Sequence, residues 1–182
     1  MADPTRQEAL ATLRDGQARI DGLLSGLSEE QLTKPATMGD GDWSAKDLIG
    51  HLASWEELAL QALEEFRARE MPWVESPEGV FSGTGSTQVD AFNARAVAEK
   101  QGQTLETVRR QAEDVHRELL ESIEGMSDNE WGSKAFYPTP NRQRRKLCTL
   151  LGSILAAPQQ PFGHAFAHVP DLEAYVDSLQ RL

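Results

Sequence analysis

The chain has 182 residues and a formal net charge of −11, from 29 acidic and 18 basic side chains. That length fits one domain over 1–182 and can bury a core without staples, while so acidic a surface repels phosphate backbones and argues against a nucleic-acid partner. A single cysteine, Cys148, excludes an intramolecular disulfide and suits a reducing cytoplasm; the polar start MADPTRQEAL lacks the apolar stretch of a secretory signal, and no apolar run approaches the ~20 residues of a membrane span.

Helical periodicity dominates. Leu10, Leu13, Ile20, Leu24 and Leu27 recur at three- and four-residue steps, with Gln17 in the missing place, and so share one helix face. A second helix carries Leu48, Leu52, Trp55, Ala59, Ala62 and Phe66 in the same rhythm. Ser44 with Asp47 forms its capping box, and Trp43 with Leu48 forms a hydrophobic staple. The stretch 70–90, EMPWVESPEGVFSGTGSTQVD, is rich in Pro, Gly and Ser and reads as a long connection. A link that long suits a crossover or a loop folded over a pocket. Its SGTGS has no following lysine, so it does not read as a phosphate-cradling loop.

Leu105, Val108, Ala112, Val115, Leu119 and Met126 mark the third helix. Ser28 with Gln31 and Ser127 with Glu130 repeat the capping grammar after the first and third helices, a faint twofold repeat. The basic run NRQRRK at 141–146 reads as a solvated loop or helix start. An apolar stretch KLCTLLGSILAA at 146–157 supplies a fourth helix, and Leu172, Val176 and Leu179 a short last one. No alternating strand pattern is present. The expected fold is all-α: a four-helix bundle with a long crossover loop between helices 2 and 3 and a short extra C-terminal helix.

His164 and His168 stand one helical turn apart, so both rings can enter the same space. Two neutral imidazoles at that spacing are a common half of a zinc or nickel site, and equally can be core filler beside Phe162 and Phe166. A third ligand must come from elsewhere. His51 lies roughly 60° from the centre of the second helix's apolar stripe and faces the core edge. His116 is the other option, although its charged neighbours suggest the surface. Ala165 stands where H-E-x-x-H has its glutamate, so a zinc peptidase with a built-in base is excluded.

The segment DWSAKDLIGHLASWEE at 42–57, with Trp43, Ser44, Lys46-Asp47, His51, Leu52 and Trp55-Glu56, resembles the second helix of the DinB superfamily. GHAFAHVPDLEAYV at 163–176 is similar to that family's late H-x-x-x-H motif, and VDAFNARAV at 89–97, with Asn93, is similar to the branch that includes ClbS and DfsB. The resemblance implies a DinB-like bundle in which His51, His164 and His168 bind a divalent metal, Zn2+ or Ni2+. It implies either a metal-dependent hydrolase or a transferase or isomerase that uses a low-molecular-weight thiol, acting on a small molecule. It also leaves a rival: a metal-free, ClbS-like bundle that binds or detoxifies a reactive small molecule. Trp55 and Asn93 are candidates to line the pocket, with the 70–90 segment as part of its wall. No residue is assigned as catalytic acid or base, and Glu56 and Glu57 read as solvated. A homodimer is compatible with such bundles. Pro158 and Pro161 before the pair, and Pro170 after it, depart from the family pattern. Proline within a helix costs ~3 kcal/mol, so the chain is expected to bend or restart there, with Pro161 a candidate first residue of a new helix.

Overall fold

The computed structural model describes residues 3–39, 41–82, 86–137, 144–157 and 160–181. Its helices are α1 (Arg6–Leu24), α2 (Glu29–Thr33), α3 (Ala45–Arg67), α4 (Thr87–Gln101), α5 (Leu105–Glu124), α6 (Asp128–Trp131), α7 (Leu147–Ile154) and α8 (His164–Leu179), with a 3-10 turn at Trp73–Glu75. Among the described residues there is no β-strand.

The long helices α1, α3, α5 and α8 form the bundle. α3 packs chiefly on α5, α1 packs on α8, and α2, α4 and α7 lean on α3. Local chemistry fixes where helices begin. The Thr5, Ser28 and Ser44 side chains each accept from the backbone N–H three residues on, and Glu8, Gln31 and Asp47 reach back to complete capping boxes. Ser127 caps α6 through the Glu130 N–H. The short helices α2 and α6 thus follow α1 and α5 as the repeated Ser motifs suggest.

Two assignments shift. The connection after α3 contains α4, a 15-residue helix whose apolar pattern is faint because only Ala96 and Lys100 are buried along it. The last helix runs for 16 residues and serves as a bundle member, whereas the apolar 146–157 segment yields the eight-residue α7, tucked against α3. Pro170 neither bends α8 to a stop nor restarts it. Its exposed ring removes one N–H donor, while Leu172 and Tyr175 beyond it are buried against α1, α2 and α3. That packing outweighs the local penalty. α8 begins after Gly163, so Pro161 lies in the preceding turn and is not its first residue. Pro158, residues 141–143 of the basic run and 83–85 of SGTGS lie outside the described residues.

The core has two parts. One joins Leu10 and Leu13 of α1, Trp55 to Leu63 of α3, Leu119 and Ile123 of α5, all of α7's buried face, and Phe162. The other joins Ile20 and Leu24, Leu48 and Ile49, Leu105 and Val108, and Leu172 and Tyr175. On α3 the seam between them falls between Ile49 and Trp55, and His51 stands there.

Candidate metal centre

His51 is 2% exposed, more deeply buried than a position at the core edge. His164 and His168 occupy the first and fifth positions of α8. The start of α8 is held by α7: the His164 N–H donates to the Leu155 carbonyl at 2.9 Å, and the Phe162 N–H reaches the Gly152 carbonyl at 3.4 Å. Phe162 takes φ of 62°, a left-handed conformation that a bulky residue adopts only when its surroundings impose it. The surroundings are visible. Its ring is 2% exposed, stacks on Trp131 with centroids 5.8 Å apart, and lies so close to Gly152 that a Cβ there would meet it at 3.0 Å.

The three imidazoles converge. His51 Nε2 lies 3.2 Å from His164 Nε2, and His168 Nε2 lies 3.3 Å from the same atom. One ligand nitrogen from each ring falls within 4.8 Å of the others. Zn–N bonds of about 2.0–2.1 Å at tetrahedral angles place nitrogens about 3.3 Å apart, so the spacing fits one ion of that size. All three rings are held neutral. Burial, then the neighbouring imidazoles, push His51 down to about 2. Burial, then His168, push His164 down to about 3. Burial lowers His168 against the opposing pull of Asp171. Neutral imidazole is the form that binds a metal.

Ala165, between the two α8 histidines, also has a structural reason. A Cβ on Gly16 of α1 would meet Ala165 Cβ at 3.0 Å. Helices that close leave no room for the glutamate of a zinc-peptidase motif.

His116 does not join the cluster. Its Nδ1 is 2.8 Å from Glu56 Oε1, and the two side chains are 13% and 14% exposed. Glu56 is therefore a half-buried partner of His116 and not a solvated charge. Glu57 faces another way and binds Lys100, whose ammonium also donates to Ser54 Oγ at 2.6 Å. The sequence offers no local signal for either pairing, because the partners sit on separate helices.

Trp55 and Asn93 meet. The indole N–H donates to Asn93 Oδ1 at 3.0 Å. The Trp55 ring stands 5.5 Å from His164 and 5.0 Å from Phe92, edge-on to both. The Trp43 ring stands 4.9 Å from that of His51. Beyond Phe92 lies a cleft of about 410 Å³ between α3, α4 and the 3-10 turn, bordered by Trp73, Phe92, Glu57 and Arg95. The turn is fixed by fully buried Val74 and by Glu75, which accepts from Tyr137 at 2.6 Å and pairs with Arg145 at 2.9 Å.

The family model of the DinB superfamily matches residues 4–169. The chain belongs to the DinB superfamily. No curated protein matches it. Among solved structures, an uncharacterised protein from Escherichia coli UTI89 aligns at TM-score 0.71 with 16% identity, over 97% of this chain and 95% of its own. The colibactin self-resistance protein ClbS, in complex with a dsDNA, aligns at TM-score 0.69 with 16% identity, over 100% and 99%. YfiT from Bacillus subtilis, described as a probable metal-dependent hydrolase with an unusual four-helix bundle topology, aligns at 0.58 with 11% identity, over 99% and 90%. At these identities the likeness establishes the DinB-like fold. It also corrects one expectation. Excluding nucleic acid on net charge does not stand, because a protein of this fold, ClbS, is seen with duplex DNA. Net charge sums over a whole surface, whereas contacts to phosphates are local. No helix among the described residues is long and apolar enough to cross a membrane.

Proposed function

We propose that this DinB-like protein binds one divalent ion, Zn2+ or Ni2+, through His51, His164 and His168, and acts on a small molecule beside it. The observation that carries the reading is the convergence of the three Nε2 atoms at 3.2 and 3.3 Å. Three imidazoles leave further coordination positions open, as catalytic sites do and structural sites do not. A divalent ion there would bring the pKa of a coordinated water or thiol towards neutrality, the chemistry of a hydrolase or of a thiol-dependent transferase. The chain's own residues supply the setting. Trp43 and Trp55 pack their rings against the cluster, and Asn93 fixes the Trp55 indole. The cleft behind Phe92 has the volume of a small-molecule site.

Metal analysis of untagged protein tests this. Near one equivalent of zinc or nickel is expected, with none in His164→Ala. An ion that binds only the folded state at a hundredfold excess over its Kd stabilises it by about 2.7 kcal/mol, so a chelator should lower the melting temperature. The rival reading is a metal-free, ClbS-like binder of a reactive small molecule, and the ClbS likeness over the whole chain favours it. It requires a melting temperature that chelators leave unchanged.

A further inference from the structure

We propose that Glu56 is a positioning residue for His164, acting through one water held between α1, α3 and α8; the inference deepens the metal reading and rests on it. A cavity of about 20 Å³ lies there, and its polar lining comes from Gln17, Glu56 and His164, with Leu52 and Phe162 in the apolar remainder. A cavity of about 10–15 Å³ already holds a water, which normally needs about three polar partners. The hydrogen-bond balance closes around such a water. Glu56 Oε1 already accepts from His116 Nδ1–H at 2.8 Å, leaving Oε2 as acceptor. Gln17 Nε2 gives one of its hydrogens to Asp21 Oδ1 at 2.8 Å, which turns that nitrogen towards Asp21 and offers Oε1 to the water as an acceptor. The water gives its two hydrogens to those oxygens and can then only accept. The remaining partner, His164, must therefore donate.

His164 turns Nε2 towards the other two rings. Its donor to the water is then Nδ1–H, and Nε2 is left with a free lone pair for the ion. The chain His116–Glu56–water–His164 selects the tautomer that a metal ligand needs, as carboxylates behind ligating histidines do. Gln17, Leu52 and Glu56 also border a surface cleft of about 140 Å³, which gives the water a path to solvent.

Glu56→Gln tests the inference. The amide keeps the bond to His116 but presents N–H groups to a water that needs an acceptor. Competition titration with Zn2+ should show a 10- to 100-fold weaker Kd, and 15N spectra of the metal-free variant should show His164 losing its fixed Nδ1–H tautomer. Gln17→Leu, at a half-buried position on α1, should weaken Zn2+ several-fold by removing one acceptor. If both variants bind Zn2+ like the wild type and keep the wild-type tautomer, Glu56 has no positioning role, even if melting shifts. If the wild type itself does not bind Zn2+, the metal reading fails; the His164 tautomer in metal-free wild type and Glu56→Gln then decides the hydrogen-bond chain alone, with identical spectra overturning it.

Discussion

His51 carries an internal tension. Its Nε2 meets the other rings, but its buried Nδ1 has no hydrogen-bond partner among the described residues. An orphaned buried polar atom costs about 1–3 kcal/mol. His51→Leu should therefore abolish metal binding while leaving the chelator-treated protein as stable as the wild type or up to about 1 kcal/mol more so, measured by urea unfolding. Trp55 behaves in the opposite sense. Its indole is 5% exposed and its N–H satisfies Asn93. Trp55→Phe should cost about 1–2 kcal/mol by the same assay, from the lost bond and lost ring area. At this scale the sequence was informative about residue types and poor about partners. His51, His164 and His168 were legible as a set only because a family pattern joins them. The Glu56–His116 pair was not, because no spacing rule links residues 60 positions apart on different helices.

Among the elements, α1, α3 and α5 were readable because each has one apolar face and a side-chain cap at its start. α4 was not, since it buries Ala96 and the Lys100 side chain and offers no apolar stripe to find. α8 was underestimated because Pro170 is a strong local stop signal, and only tertiary packing overrides it. That override has a measurable cost. Pro170→Ala restores a backbone donor and removes the clash with the Phe166 carbonyl, so it should stabilise the protein by about 1–2 kcal/mol. The Zn2+ affinity should stay within about twofold, because His164 and His168 both precede the substitution and α8 is already continuous through it. The entry to α8 is more sensitive. Phe162→Ala removes a fully buried ring that fixes the approach to His164, and should cost about 3–5 kcal/mol.

For the molecule as a whole, the three histidines govern the acid limb. Their folded-state pKa values lie well below the ordinary value of 6.5, at about 2 for His51 and about 3 for His164. His168 is lowered as well. Above pH 6.5 neither folded nor unfolded chain protonates them, and their contribution is fully present. Below it the unfolded chain takes up protons that the folded chain refuses. Stability of the metal-free protein should then fall as the pH drops below 6.5, by up to about 1.4 kcal/mol per pH unit for each of His51 and His164, with His168 adding in the same direction. Urea unfolding from pH 7.5 to 4.5 should show that fall, and His51→Leu should make it shallower.

The two halves of the centre are far apart along the polypeptide: His51 precedes His164 by 113 residues. During synthesis the early imidazole emerges long before its companions, and a nascent chain released from the ribosome before α8 appears carries a single ligand that cannot chelate. Loading of a divalent ion at this candidate site would therefore be a terminal event of biogenesis, a seal applied only after α8 has docked against α1.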